Sequence, residues 1–131
     1  MIVVDTNVVS YLYLSGERSH QSEALLLLDP HWCAPVLWRS EFRSVLSLYL
    51  RKGLLTLADV LLILKQAEEL LGDNEYEVPS ADVMEMVSQS NCSAYDCEFV
   101  ALAKYLDVPF VTADKKLLKQ FPKIAKSLDL F

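Results

Sequence analysis

Cysteine is scarce in this sequence, and the few that occur form no pattern that builds a covalent or metal scaffold. Cys33, Cys92 and Cys97 are odd in number and include no C-x-x-C pair. That usage favours buried thiols in a reducing cytoplasm over a disulfide framework. His31 lies near Cys33 in sequence, but two ligands do not make a zinc site. Cysteine usage therefore argues against a disulfide-stabilised secreted domain and against structural zinc.

Long apolar runs are also missing. The longest, Leu54 to Leu64, is interrupted by Thr56 and Asp59, so it is too short and too polar to span a bilayer. Met1 leads directly into a short β-branched run, without a basic n-region or a cleavage site, so we expect no signal peptide. These features predict a protein with no membrane segment and a cytoplasmic location.

The length of 131 residues fits one domain, residues 1–131, with a single core. No internal repeat, low-complexity tract or linker divides it. The hydrophobic content of 53% is high for a small domain. We expect the surplus of apolar surface to lie in a subunit interface, with Leu25–Leu28 and Leu57–Leu71 as the candidate surfaces.

Positive charge is in deficit, with 12 basic residues against 18 acidic ones and a net charge of −6. A protein that passively coats nucleic acid is expected to be basic, so that class is disfavoured. An acidic protein can still act on phosphates when divalent cations lie between its carboxylates and the substrate.

Apolar runs of strand type alternate with segments of helical spacing along the whole chain. Strands alternating with helices predict right-handed crossovers and a parallel sheet with helices on both faces. The predicted fold class is α/β, a single three-layer α/β/α domain with a central parallel sheet. The predicted strands are Ile2–Val4, Trp32–Pro35, Glu75–Val78, Val108–Thr112 and an edge strand within Ile124–Phe131. The predicted helices follow Asp5 and then span Ser19–Leu28, Val36–Lys52, Thr56–Gly72, Ser80–Ser90, Ser93–Leu106 and Lys115–Gln120.

Two aspartates stand where a predicted strand gives way to a helix. Asp5 follows Ile2–Val4, and Asp114 follows the strand that ends at Thr112. Ligands of open parallel sheets bind at the carboxyl ends of the strands, so both acids are placed at the expected site edge. The competing interpretation is that each aspartate is only a helix N-cap.

Glu41 lies on the apolar side of its helix. The stripe formed by Trp38, Phe42 and Leu46 faces the core, and the helical angle places Glu41 beside that stripe. A carboxylate there is costly unless it is paired or bound to a cation. Arg39 and Arg43 are not three or four residues from Glu41, so neither is a same-helix partner.

Asp96 lies in the first turn of a later helix, at one border of a predicted buried stripe that begins at Tyr95, and Glu98 lies at the other border. Ser93 and Asp96 have the spacing of a capping box, which is a structural alternative for this acid. Thr56 and Asp59 share that spacing where nothing else suggests chemistry, so Asp59 is an internal control.

The four acids Asp5, Glu41, Asp96 and Asp114 converge on one pocket if their strands are neighbours. Several close carboxylates cannot all remain ionised unaided, so such a cluster requires a hard cation. Ligation by oxygen alone suits Mg²⁺ or Mn²⁺, which would favour hydrolysis of a phosphodiester by an activated water.

Five short stretches occur in an order that resembles a known family: VVDTNVV, RSEFRSVL, RKGLLT, AYDCEFVALA and VTADKKL. Together they cover nearly the whole chain. They resemble PIN-domain ribonucleases, and the size and motif order resemble the VapC-type toxins of toxin–antitoxin pairs. Cys97 stands where the resemblance leads us to expect a small residue such as Ala.

This resemblance implies a parallel sheet flanked by helices and a Mg²⁺- or Mn²⁺-dependent endoribonuclease acting on RNA. It places Asp5, Glu41, Asp96 and Asp114 at acidic metal-site positions, Thr6 and Thr112 at the hydroxyl positions beside them, and Glu98 as a further acid. It also implies a homodimer and a small antitoxin that inserts a basic side chain among the acids. The cations expected near the pocket for RNA binding are Arg39, Arg43, Lys115, Lys116 and Lys119.

Two alternatives remain open at this point. A receiver-type phosphoacceptor domain has a similar length, a parallel sheet and a Mg²⁺-binding acid cluster. It typically has adjacent acids after the first strand, whereas Asp5 stands alone. The other alternative is a non-catalytic RNA- or protein-binding relative of the same fold, which a cleavage assay with metal distinguishes.

Overall fold

A parallel five-stranded sheet forms the centre of the structure, a computed structural model that describes residues 1–131. Its spatial order is β3-β2-β1-β4-β5, and every neighbouring pair is parallel. The strands are β1 (Ile2–Val4), β2 (Trp32–Pro35), β3 (Glu75–Tyr76), β4 (Phe110–Thr112) and β5 (Ala125–Ser127).

Seven helices flank this sheet in a three-layer α/β/α arrangement, as the alternation of elements predicted. They are α1 (Thr6–Tyr13), α2 (Ser19–Leu28), α3 (Trp38–Arg51), α4 (Leu57–Leu71), α5 (Ser80–Ser88), α6 (Ala94–Leu106) and α7 (Lys115–Gln120). A 3₁₀ turn, Leu128–Leu130, follows β5. None of the helices combines the length and apolarity needed to cross a membrane.

The core lies around β1, because this strand has neighbours on both sides. Val3 pairs with Cys33 on β2 and with Phe110 on β4, and all three strands are buried. Phe99 of α6 stacks on Phe110 with ring centroids 5.9 Å apart. A β-branched run without a polar face is what a strand covered on both faces requires.

Helix boundaries follow local backbone chemistry. Thr56 and Asp59 form the predicted capping box at the start of α4. Beyond α3, Gly53 has φ +71°, a left-handed conformation that glycine adopts without steric cost and that ends the helix. The predicted edge strand at the end of the chain is shorter than expected, because residues 128–130 turn into the 3₁₀ helix.

One part of the predicted core was wrong. Spacing placed Tyr95 on the buried stripe of α6, but its side chain is exposed, at 64%. Phe99 and Leu102 on the same stripe are buried as predicted, and Cys97 and Val100 broaden the buried face. Periodicity identifies the face of a helix, but it does not establish that another element covers the first turn of that face.

Candidate active site at the switch point of the sheet

The site lies where the strand order reverses. From β1 the chain proceeds to β2 and β3 on one side, whereas β4 and β5 lie on the other. Asp5 comes directly after β1, and Thr112 is the last residue of β4. These two strands are neighbours in the sheet. The carboxyl ends of parallel strands at such a switch point form the crevice in which ligands of open α/β sheets bind.

Asp5 is buried, and both of its carboxylate oxygens accept hydrogen bonds. The backbone N–H of Thr6 donates to Oδ1 at 2.8 Å. The hydroxyl of Thr112 donates to Oδ2 at 2.7 Å, and the amide of Asn7 donates to the same oxygen at 3.4 Å. Asp5 is the N-cap of α1, so the capping role suggested by the sequence is real and coexists with a contact to β4.

Thr112 also connects Asp5 with Asp114. Its hydroxyl oxygen accepts a hydrogen bond from the backbone N–H of Asp114 at 3.0 Å. Oδ1 of Asp114 accepts from the N–H groups of Lys116 and Leu117 at 2.8 and 3.1 Å and caps α7. One oxygen of Asp114 is therefore used in capping, and the other carboxylate oxygen accepts no hydrogen bond from the protein.

Glu41 reaches the site from α3. The hydroxyl of Thr6 donates to Oε1 of Glu41 at 2.8 Å, across 35 residues of sequence. As predicted, Glu41 forms no ion pair with Arg39 or Arg43. Thr6 thus links two acids, since its backbone N–H holds Asp5 while its side chain holds Glu41.

Asp96 differs from its control, Asp59, although both occupy the third position of a helix. Oδ2 of Asp59 accepts the backbone N–H of Thr56 at 2.9 Å, which completes its capping box. At α6, the hydroxyl of Ser93 accepts from the backbone N–H of Asp96 at 3.1 Å, but the reciprocal bond is missing. The Asp96 carboxylate therefore does not complete a capping box, although a hydrogen bond with the Ser93 side chain lowers its pKa against the effect of burial.

Asp5, Glu41, Asp96 and Glu98 have raised pKa values, and burial is the largest cause for each of them. The pKa of Asp5 is raised to about 7, chiefly by burial and further by the charges of Asp96 and Glu41, although the hydrogen bond from Thr112 opposes the rise. The pKa of Glu41 is raised by burial and then by Asp96 and Glu98. Burial raises the pKa of Asp96, and the charge of Asp114 adds to the rise. Burial also raises the pKa of Glu98.

The charge of one acid raises the pKa of a neighbour in several cases, but the side chains form no ready-made metal cage. No three histidine, cysteine, aspartate or glutamate side chains are grouped closely enough to hold a metal ion as they stand. The donor set nevertheless fits a hard divalent cation, because it consists of oxygens whose mutual repulsion a cation would relieve. Asn7 adds to the fit, since its buried Oδ1 has no hydrogen-bond partner.

The predicted cations fall into two groups. Arg39 forms a bidentate pair with Glu75 through two hydrogen bonds of 2.6 Å. It also donates to Glu68 at 2.8 Å. Arg43 lies 3.9 Å from Glu68 and is more exposed. The three lysines of α7 are exposed and form no ion pairs: Lys115, Lys116 and Lys119. The guanidinium of Arg39 is thus engaged in ion pairs within the protein. Spacing within α3 could not predict this pairing, because Glu75 lies 36 residues away.

A groove of about 660 Å³ opens beside Asp5 and Glu41 and was not predicted from the sequence. Its walls come from α1, from the turn after α1 and from α3, and include Tyr11, Arg18 and Tyr49. Nothing in the sequence linked these residues to one another, because the three segments come together only in the folded chain.

The chain matches the PIN domain family model over residues 2–125. It is similar to ribonuclease VapC3 of Pyrobaculum aerophilum, with 26% identity over 126 residues, or 94% of this chain and 96% of that protein. Among solved structures it resembles FitAcB from Neisseria gonorrhoeae, with a TM-score of 0.78, 19% identity and full coverage of both chains. It also resembles a chain of a toxin–antitoxin complex from Klebsiella pneumoniae, with a TM-score of 0.67, 18% identity and 98% coverage of each chain. A family match that includes both strands of the switch point and all four acids establishes that this chain belongs to the PIN domain family.

Proposed function

We propose that this protein is a Mg²⁺- or Mn²⁺-dependent endoribonuclease that hydrolyses RNA phosphodiester bonds and is the toxin of a toxin–antitoxin pair. The observation behind the proposal is the hydrogen-bonded arrangement at the switch point, where Thr112 of β4 donates to Asp5 and Thr6 donates to Glu41 of α3. The similarity to a protein named ribonuclease VapC3 supports the choice of RNA as substrate.

The residues proposed to hold the cation are Asp5, Asp96, Asp114 and Glu41, with Glu98 as a further acid. Bound Mg²⁺ or Mn²⁺ supplies a Lewis acid and lowers the pKa of water at the site. Thr112 holds one oxygen of Asp5, and Thr6 holds one oxygen of Glu41. These two hydroxyls therefore orient two of the acids that would bind the cation.

Substrate binding is proposed for the unpaired lysines of α7, Lys115, Lys116 and Lys119, with a lesser role for Arg43. Phosphate contacts from such cations position a nucleic acid without reading its sequence. Arg39 is the weakest member of the predicted set, because Glu75 and Glu68 already accept from its guanidinium.

Two protein partners are part of the proposal. A small antitoxin would insert a basic side chain among the acids, and one structural neighbour is titled a toxin–antitoxin complex. A homodimer would cover apolar side chains that remain exposed, among them Leu27 at 88% and Leu61 at 57% exposure. Three buried free thiols are compatible with the proposed cytoplasmic location.

Membership of the PIN domain family removes the receiver domain from the alternatives. A non-catalytic relative of the same fold is the alternative that remains. The test is cleavage of a labelled single-stranded RNA in Mg²⁺, in Mn²⁺ and in EDTA. We expect wild type and Asp59→Asn to cleave with metal only, and Asp5→Asn to be inactive. Undiminished cleavage in EDTA, or equal cleavage by Asp5→Asn, would contradict the proposed mechanism.

A further inference from the structure

The groove beside Asp5 and Glu41 extends well beyond the acids. It continues along α1 to Arg18 and across to Tyr49 near the end of α3. Its volume of about 660 Å³ lies within the range of small-molecule binding pockets. The groove therefore has room for a chemical group attached to the phosphate that the acids would process.

The charges of the groove disfavour a second phosphate there. Arg18 is the one basic residue in its lining. The guanidinium of Arg18 is already held by Asp129 at 3.2 Å and lies 5.9 Å from the ring centroid of Tyr11. Glu17, Glu41 and Asp5 also line the groove. A neutral occupant fits this lining better than an anionic one.

The remaining lining consists of neutral polar residues and four apolar or aromatic ones, namely Tyr11, Leu14, Val45 and Tyr49. Tyr49 is half-buried, and its ring packs against no other aromatic ring or cation in the structure. The hydroxyl of Ser44, an exposed residue of the lining, forms no hydrogen bond with the protein. A flat aromatic base bearing a hydroxylated sugar matches these groups, because bases stack on tyrosine and ribose hydroxyls both donate and accept.

We propose that this groove is a nucleoside subsite that holds the nucleotide adjoining the scissile phosphate, with Tyr49 packing against its base. Tyr11 is less available for stacking, since Arg18 lies over its ring. The inference rests on the proposed nuclease function and adds a residue that contacts the substrate. It also assigns the recognition of one neighbouring base to α3.

The test compares RNAs that differ by a single base. One RNA is intact, and two others have an abasic ribose immediately on either side of the mapped cut. Tyr49→Leu removes the ring but keeps apolar volume, and Tyr49→Phe retains the ring. Tyr105→Leu is the matched control, because Tyr105 is an exposed tyrosine of α6 that does not line the groove.

For wild type and Tyr49→Phe, we expect one abasic position to lower kcat/KM by about 5- to 150-fold, the range of base–aromatic stacking. Tyr49→Leu should show that loss on intact RNA and no further loss on the abasic RNA. Tyr105→Leu should behave as wild type. If Tyr49→Leu cleaves intact RNA as well as wild type, or loses as much as wild type on the abasic RNA, the subsite is wrong.

A binding experiment separates failure of the subsite from failure of the nuclease proposal. Wild type and Tyr49→Leu are titrated with the four ribonucleoside 5′-monophosphates and with a tetra-arginine peptide, followed by NMR of the tyrosine rings. A mononucleotide that perturbs Tyr49 in wild type and binds at least fivefold more weakly to Tyr49→Leu supports the subsite even if no RNA is cleaved. Perturbation by the peptide alone would assign the groove to a protein partner and overturn the proposal.

Discussion

The hydroxyl of Thr112 donates a hydrogen bond to Oδ2 of Asp5 at 2.7 Å and so joins the carboxyl ends of two neighbouring strands. The same hydroxyl oxygen accepts the backbone N–H of Asp114. A threonine hydroxyl has one proton, and here that proton is directed at the carboxylate. Thr112 is fully buried, so water cannot readily replace it in either bond.

Replacing Thr112 by valine should therefore destabilise the protein although the side-chain volume hardly changes. Asp5 would lose a donor, and the N–H of Asp114 would lose its acceptor. We expect a loss of about 1–3 kcal/mol in the free energy of unfolding at pH 8 without metal. Urea unfolding measures this change.

Thr112→Ser is the control for that substitution, because serine keeps the hydroxyl and should retain most of the stability. The hydroxyl opposes the rise in the pKa of Asp5, so Thr112→Val should also move the proton uptake of Asp5 to higher pH. A valine variant as stable as wild type would mean that the hydrogen bond contributes nothing.

The raised pKa of Asp5 predicts how stability depends on pH in metal-free protein. Folding raises this pKa from about 4 to about 7, so between those values the folded state binds more protons than the unfolded state. The contribution of Asp5 to the free energy of unfolding is therefore fully present below about pH 4 and is lost as the pH rises through about 7. The expected loss is on the order of 1–4 kcal/mol.

Asp5→Asn isolates the contribution of Asp5, because other carboxyls titrate with the opposite sign. Glu75, for example, has a lowered pKa since Arg39 hydrogen-bonds to it. Thermal unfolding is measured from pH 4 to pH 8 in EDTA. As the pH rises, the melting temperature of Asp5→Asn should increase relative to that of wild type. Excess Mg²⁺ or Mn²⁺ should stabilise wild type but not the variant. Parallel pH profiles for the two proteins would refute the shifted titration.

The two first-turn aspartates, Asp59 and Asp96, should respond in opposite ways to conversion to asparagine. Asp59→Asn weakens a formed cap and should lower the melting temperature in metal-free protein. Asp96→Asn removes a charge that burial and Asp114 disfavour, so it should raise the melting temperature without metal. It should also reduce the stabilisation by Mg²⁺ or Mn²⁺. Equal shifts for both variants would identify Asp96 as a cap alone.

Local patterns predicted the elements better than the contacts between them. The order of strands and helices followed from apolar periodicity, and Thr56 with Asp59 was a capping box as its spacing indicated. The same spacing at Ser93 and Asp96 produced only half of a box, so the spacing alone does not determine whether the second hydrogen bond forms. Likewise, Glu75 engages Arg39 from a distant strand.

The position of the site was predicted conditionally. Two aspartates at strand ends suggested a common edge, but side-chain pattern does not state which strands are neighbours. The pairing of β1 with β4 supplied that fact. The groove remained unseen because Tyr11 and Tyr49 belong to helices whose packing depends on the whole chain. The sequence pattern does not show which distant segments lie next to each other in the folded chain.

The lysines of α7 provide the last prediction, which concerns RNA binding. Lys115 and Lys116 are exposed and unpaired at the start of the helix that Asp114 caps. The charge of Lys116 also opposes the rise in the pKa of Asp96, which places that lysine near the acids. If each lysine contacts one phosphate, the double variant Lys115→Ala and Lys116→Ala should bind single-stranded RNA more weakly.

The salt dependence distinguishes direct phosphate contacts from a general change in charge. For single strands, each lost contact should reduce the slope of log K against log salt by about 0.7, so two contacts reduce it by about 1.4. Binding is measured in an Asp5→Asn background, which prevents cleavage during the titration. The matched control is Lys52→Ala with Lys65→Ala, which removes the same charge from exposed positions after α3 and on α4. If the control lowers the slope as much as the α7 variant, the lysines act only through net charge and do not contact phosphates.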